Sequence, residues 1–215
     1  MVARSDEEQV EVLKKWWDEN GRAVIFGVII GIGGLAGWNG WQNYKESRAE
    51  TASDHYAALR EAAGNDQQDK VADEAAKLRD AYAATPYAAL GALELARLKA
   101  EVGELDAAEE QLRWASENAS QQVVGYVAAV RLARVLVGLG KLDEALAIVE
   151  REFPTGYASL LDEIKGDVFR ARGDVDEARA AYNRAITTAT GDIDYLRMKR
   201  DDLGEAKTTS PDQSS

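Results

Sequence analysis

Few side chains in this sequence could act as nucleophiles, proton carriers or metal ligands. The 215 residues include no Cys and a single His, His55, which lies in a charged segment. A lone titrating group lacks the partners that acid–base catalysis needs, so we expect His55 to be a solvated surface residue. Glu109 and Glu110 fall in the first turn of a predicted helix, which explains two acidic residues better than a metal site does. The sequence therefore predicts a protein that is not an enzyme and that uses no cofactor or metal.

One further pattern has the letters of a dinucleotide-binding site. The segment Gly31-Ile-Gly-Gly-Leu-Ala36 matches the glycine fingerprint that binds a pyrophosphate. That site needs a strand before it, a helix after it and an acidic residue about 20 positions later. Here the segment lies inside a long apolar run, so we exclude nucleotide binding by these glycines.

Composition favours helices and excludes nucleic acid as a partner. The net charge is -12, and no basic stripe interrupts an acidic background that repels phosphate. Ala is abundant, only three Pro occur, and runs of β-branched residues are short. These features favour α-helix, so we predict an all-α protein.

The longest uncharged run extends over residues 23–44. Its apolar part would form a helix of about 28 Å, close to a bilayer hydrocarbon thickness of about 30 Å. We therefore predict a transmembrane helix over 23–44. A cleaved signal peptide is the alternative, but the leader is long and acidic and no small-residue cleavage site follows. Aromatic residues that favour the headgroup layer stand at both ends: Trp16, Trp17, Trp38, Trp41 and Tyr44.

Basic residues near this run predict its orientation. Lys14, Lys15 and Arg22 precede it, and only Lys45 and Arg48 follow closely. Basic flanks are retained in the cytoplasm, so the bias favours a cytoplasmic N-terminus and a C-terminal domain outside the cytoplasm. The absence of Cys suits an oxidising compartment.

Residues 1–22 are predicted to form a cytoplasmic amphipathic leader. A capping box at Ser5–Glu8 and a stop at Asn20–Gly21 predict a separate helix between them. Its apolar side, with Val10, Leu13 and Trp17, would let the helix lie on the membrane surface. The alternative is a solvated helix that simply leads into the span.

Six glycines in the run form two stripes on nearly opposite sides of a helix. Small residues let a second helix approach closely, and two pairs in these stripes have the G-x-x-x-G spacing. This pattern predicts two neighbouring helices, although Gly is also generally common in membrane helices. The stripes are Gly27, Gly31 and Gly34, and Gly33, Gly37 and Gly40.

A short motif recurs three times beyond the span. Gly103–Ala108, Gly140–Ala145 and Gly173–Ala178 share a Gly, an acidic residue and an Ala at offsets of 37 and 33 residues. Tetratricopeptide repeats recur at about 34 residues, and each motif falls between two helical patterns. We therefore predict a tetratricopeptide-repeat-like α-solenoid over 45–203.

The ends of this solenoid have their own signals. Residues 49–84 predict a first helical hairpin, and Thr85 with Pro86 predicts the cap and first position of the next helix. A final helix over 193–203 would cover the open end of the array. Residues 204–215 are polar, and we predict a disordered tail.

On the repeat register, the first helix of each pair would line a groove. The predicted residues are mainly apolar, with two arginines at equivalent positions, and suit an apolar or extended polypeptide with some acidic character. The alternative is that several of them pack against neighbouring helices. They are Leu90, Leu93, Arg97, Val127, Val130, Arg134, Val137, Leu160, Glu163 and Arg170.

Beyond these patterns, the chain resembles a known family. The segment from Glu7 to Trp41, the Arg-Leu-Ala-Arg of 131–134, Gly166-Asp167 with Ala178 to Tyr182, and the closing 198–203 are similar to the YfgM family of Gram-negative inner-membrane proteins. The resemblance implies a single span with a cytoplasmic N-terminus and a periplasmic tetratricopeptide domain. It also implies association with the SecYEG translocon and with the membrane-anchored chaperone PpiD.

The function we predict is that of a membrane-anchored scaffold at the translocon. It would assist the periplasmic release or chaperoning of exported polypeptides together with PpiD. The alternative is a regulatory adaptor whose repeat domain binds a signalling or assembly protein of the cell envelope.

Overall fold

The computed structural model describes the backbone of residues 6–204 and the side chains of residues 8–204, and all regular elements in this part are helical. The prediction of an all-α fold is confirmed. Ser5 of the predicted capping box, and the predicted tail after Gly204, lie outside the described residues. The helices are α1 (Asp6–Gly64), α2 (Gln68–Tyr82), α3 (Pro86–Glu101), α4 (Leu105–Asn118), α5 (Gln122–Gly138), α6 (Leu142–Val149), α7 (Ala158–Arg172), α8 (Val175–Thr188) and α9 (Asp194–Asp201), with a 3-10 turn at Thr155–Tyr157.

The chain divides into two compact units, one ending at Glu50 and one beginning at Thr51. In the first unit, the predicted helix stop at Asn20–Gly21 is wrong, because α1 runs through it. The Asn20 amide donates to the carbonyl of Trp16 at 3.0 Å, and the Trp17 ring covers Gly21. These contacts accommodate both residues inside the helix, so α1 continues through them without a break.

The apolar run lies wholly within α1. In the described part of the chain, α1 is the one helix whose length and composition would allow it to cross a membrane. The side chains of this run are exposed, except that of Val24, which is half-buried. A Cβ atom added at any of the six striped glycines would meet nothing within 4 Å, so both stripes are open.

In the second unit, consecutive helices from α2 to α9 pack side by side, as the repeat pattern predicts. The three motif glycines, Gly103, Gly140 and Gly173, all have φ between 72° and 86° and end α3, α5 and α7. After each, the next backbone N–H bonds to a carbonyl five residues earlier, for example Glu104 N to Lys99 O at 2.8 Å. This left-handed cap reverses the chain and starts the second helix of the pair.

Small side chains sit where the paired helices cross. Ala96, Ala133 and the motif alanines are buried, which allows the helices to approach closely. Gly166 is the tightest position, because a Cβ there would lie 2.4 Å from Cε1 of the buried Tyr182.

Helix α6 is the shortest member of a repeat pair. It has eight residues and ends at Val149, ahead of Pro154. Three aromatic rings fill the space that follows: Tyr126 and Phe153 have centroids 5.2 Å apart, and Tyr157 lies within 5.8 Å of both. Ring packing therefore replaces the missing second half of the helix.

Ion pairs join each helical pair to the next one along the chain. All are at least partly solvent-exposed, and each connects residues 29 to 32 positions apart, about one repeat length. These pairs are Arg79–Glu110, Arg113–Glu144, Lys141–Glu109, Arg134–Glu163 and Arg172–Asp143.

The closing helix α9 is held by a buried charge cluster. Lys199 Nζ lies 2.8 Å from Glu163 Oε1 and 2.7 Å from Asp167 Oδ2, both on α7. The Tyr182 hydroxyl donates to Asp167 at 2.7 Å, and Arg134 reaches Glu163 at 3.2 Å. Burial alone would lower the pKa of Lys199, but its hydrogen bonds to Asp167 and Glu163 outweigh burial and raise that pKa. The final helix predicted over 193–203 is therefore present and pinned to α7.

Candidate functional site

Two neighbouring cavities open between α3 and α5, and together we call them the α3–α5 groove. The first has a volume of about 440 Å³ and is almost entirely apolar, with charged groups at its edge. Its lining is Leu93, Ala96, Arg97, Ala100, Glu101, Leu112, Arg131, Arg134 and Val135.

The second cavity has a volume of about 280 Å³ and shares Leu93 and Arg131 with the first. Its other lining residues are Tyr56, Leu90, Glu94, Val123, Val124 and Val127. Tyr56 comes from the end of α1 and stacks on Tyr87, with ring centroids 5.8 Å apart. Each cavity is large enough for a bulky apolar side chain, and the two lie at or just below the lower end of the volumes of about 300–1,000 Å³ that small-molecule sites have.

Most charges at the rim of the groove are already paired. Arg97 binds Glu94 at 2.7 Å and Glu101 at 2.5 Å, one turn away on either side. The hydrogen bond from Arg97 holds the pKa of Glu94 below its ordinary value of 4.5, so Glu94 is charged at neutral pH. Arg134 is paired with Glu163 of α7.

The structure brings together five of the ten residues predicted for the groove: Leu90, Leu93, Arg97, Val127 and Arg134. The other five lie elsewhere. Val137 packs against the core, Glu163 is in the buried charge cluster, and Leu160 and Arg170 are exposed on α7. The expectation that Val130 is exposed is wrong, because it is 4% exposed and belongs to the core.

Helix geometry explains the position of Val130. At about 100° per residue, Val127, Arg131 and Arg134 lie within about 60° of one another on α5, and Val130 lies about 40° beyond the edge of that arc. That rotation points Val130 towards the surrounding helices. The sequence analysis did not predict five further lining residues: Tyr56, Glu94, Val123, Val124 and Arg131. The helical spacing of Val124, Val127 and Arg131, at intervals of three and four residues, could have indicated that they share one face of α5.

His55 and Glu109, the side chains considered above for catalysis or metal binding, form hydrogen bonds or ion pairs within the fold. The expectation of a solvated His55 is wrong: its Nδ1 lies 2.7 Å from Glu74 Oε2, and its ring packs on Tyr82. Burial alone would raise the pKa of Glu74, but hydrogen bonds from Lys77 and His55 outweigh burial and lower that pKa. Glu109 pairs with Arg113 and Lys141 instead of facing open solvent. Within residues 8–204, no group of three or more His, Asp or Glu side chains could hold a metal ion.

Comparison with known proteins gives one consistent family. A model described as a tetratricopeptide repeat-like domain matches residues 14–205. A protein of Escherichia coli (strain K12) is 31% identical over 185 residues, covering 86% of this chain and 89% of its own. A protein of Haemophilus influenzae is 31% identical, covering 84% of this chain and 88% of its own, and one of Neisseria gonorrhoeae is 30% identical, covering 94% and 100%.

All three relatives bear the name ancillary SecYEG translocon subunit. The match to the repeat model covers both the apolar part of α1 and the helical pairs of the second unit. The family predicted from the sequence resemblance is confirmed, and this chain belongs to the tetratricopeptide repeat-like family of the ancillary SecYEG translocon subunits.

Proposed function

We propose that this chain is a non-enzymatic subunit of the SecYEG translocon that holds segments of exported polypeptides in its α3–α5 groove. The observation that carries the proposal is the identity of 30–31% to relatives of that name over most of both chains. The groove supports it, since apolar cavities with a charged rim suit an extended polypeptide better than a small polar metabolite. PpiD is proposed as the neighbouring membrane-anchored chaperone that shares this task.

In this proposal α1 crosses the inner membrane over residues 23–44, with the N-terminus in the cytoplasm and the repeats in the periplasm. The length, the composition and the exposure of nearly all side chains of the apolar run support a span. The basic residues before the run support the orientation.

Cysteine labelling tests the orientation directly, because the natural chain contains no Cys. In cells with a permeabilised outer membrane, Ser214→Cys should react with a membrane-impermeant thiol reagent, and Ser5→Cys should react only after the inner membrane is opened. Labelling of Ser5→Cys alone would reverse the orientation and remove the periplasmic role.

Co-purification tests the association with the translocon. The tagged full chain, extracted from membranes under mild conditions, should bring down SecYEG and PpiD, identified by mass spectrometry. Recovery of an envelope signalling or assembly protein without SecYEG would contradict the proposal and favour the regulatory adaptor.

The same measurement tests whether the span itself contacts partners. Gly31→Leu and Gly37→Leu add side chains into open space on opposite stripes, so neither should disturb this chain alone. Each should weaken a partner helix contact by about 1–2 kcal/mol and reduce co-purification, with different partners affected. Ile30→Leu is the matched control, because it keeps a bulky exposed side chain. Unchanged recovery for both glycine variants would leave the span as a tether.

A further inference from the structure

Arg131 is the charged residue common to both cavities of the groove. Its side chain is exposed, and it forms no hydrogen bond or ion pair with the described residues, although its charge contributes, after that of Arg97, to the lowered pKa of Glu94. The two other arginines of the lining differ in this respect, since Arg97 and Arg134 each bind a glutamate. The guanidinium of Arg131 is thus available at the point where the cavities meet.

The charge of the groove differs from that of the protein. Its lining contains three arginines and two glutamates, whereas the whole chain has a net charge of -12. Both glutamates, Glu94 and Glu101, are already bound by Arg97. An occupant that pairs with the remaining arginine must therefore carry an anionic group, and guanidinium favours a carboxylate.

The distance between the cavities limits how the anionic and apolar groups are arranged. Val127 lines one cavity and Val135 the other, eight residues further along α5, which is a rise of about 12 Å. In an extended polypeptide, residues four positions apart are separated by about 13 Å and point to the same side. A side chain midway between them points the same way, and Arg131 lies midway between Val127 and Val135 on α5.

We propose that the groove recognises an extended segment in which an acidic residue has a large apolar residue two positions before it and another two positions after it. Arg131 pairs with the acidic side chain, and each cavity takes one apolar side chain. This inference rests on the proposed function, because it names the segments of exported polypeptides that the groove would hold.

Peptides with blocked ends test this recognition, because a blocked end excludes a terminal carboxylate as the anion. A dye-labelled peptide with the core Leu-Ser-Glu-Ser-Leu is titrated with the full chain in lipid nanodiscs, and binding is followed by fluorescence anisotropy. Replacing Glu with Gln in the peptide should weaken binding about fivefold, the upper range for a solvent-accessible ion pair. The core Leu-Glu-Ser-Ser-Leu has the same composition but turns the acid to the other side, and it should lose as much.

Protein variants assign the effect to one side chain. Arg131→Gln should bind the Glu and Gln peptides equally, because the partner of the carboxylate is gone. Arg170→Gln removes the same charge from an exposed site that lines neither cavity, and it should keep the fivefold preference. Arg131 is exposed, so neither variant should change the unfolding temperature measurably. If Arg131→Gln retains the preference, or if the shifted acid binds as well, the inference is overturned.

A crosslinking experiment separates failure of this inference from failure of the proposed function. A photoreactive amino acid at Val123, which lines the second cavity, should crosslink to a stalled exported chain of known sequence in membranes that contain SecYEG. Crosslinking without any preference for the acidic peptide would leave the proposed function standing and overturn the role of Arg131. Absence of crosslinking, together with absence of peptide binding, would overturn both.

Discussion

Replacing Lys199 with Met should lower the free energy of unfolding by about 3–5 kcal/mol, the usual cost of removing one partner from a buried ion pair. Lys199 is 8% exposed and lies between Glu163 and Asp167, which are themselves largely buried. Met has a similar length, so the loss reports the missing charge more than missing volume. We expect α9, which packs against α8, to detach first, because this cluster is its main polar attachment to α7.

Urea unfolding of the full chain, followed by circular dichroism, measures this effect. Arg197→Met is the matched control: it makes the same change of charge two residues away, at an exposed position, and should alter stability by less than about 0.5 kcal/mol. Adding Glu163→Gln and Asp167→Asn to the Lys199 variant should restore part of the stability, because the two buried negative charges that lost Lys199 are then removed. Equal stability of the two Met variants would show that the cluster contributes nothing.

Val130→Asp should reduce stability by about 4 kcal/mol or more, because it places an unpaired carboxylate in the core of the repeats. Val130 is 4% exposed and belongs to the buried apolar cluster to which α3, α4, α5, α6 and α7 contribute. This result is opposite to the one expected from the repeat register, which placed Val130 on the open face of the groove.

Val123→Asp is the control for Val130→Asp, because it makes the same substitution at an exposed position. Val123 is on the same helix and is 58% exposed, so the identical substitution should change stability by no more than about 0.5 kcal/mol. Thermal unfolding of both variants decides between the two positions. A folded and stable Val130→Asp protein would mean that this side chain faces solvent.

Local signals in the sequence predicted most of the helical pairs. Gly103, Gly140 and Gly173 marked turns that the structure contains, because a left-handed cap strongly favours glycine. The predicted helix end at Asn20–Gly21 was wrong, because glycine favours a helix end but does not require one. A glycine inside a helix costs only about 1 kcal/mol, and here the Trp17 ring covers it.

The third repeat shows how charged residues mislead a pattern. Asp162 and Lys165 fall where tetratricopeptide repeats usually have residues that pack, and this pattern indicates a less buried α7, yet Ile164 and Val168 on the same helix are fully buried. Asp162 binds Arg184 of α8 at 3.1 Å, so its charge lies at the edge of the contact and does not prevent packing.

The groove was predicted only in part, because α5 is apolar on more than one side. Val127 and Val130 are alike in composition, and only the contacts of the folded chain show which of them lines a cavity. The partners of His55 and Lys199 are 19 and 36 positions away, respectively, and no local pattern connects such residues. The sequence alone does not distinguish Arg131 from the other arginines of the groove. Only the structure shows that Arg97 and Arg134 are each bound to a glutamate.

The ion pairs that connect residues 29 to 32 positions apart also couple the unfolding of neighbouring helical pairs in the second unit. Each pair reaches one helical pair further and no more, so it acts as a nearest-neighbour coupling in a linear array. Exposed charges are screened by salt, whereas the alanine-rich contacts within each pair are not. Ionic strength therefore adjusts how cooperatively the repeats unfold, while the stability of each individual repeat stays largely unchanged.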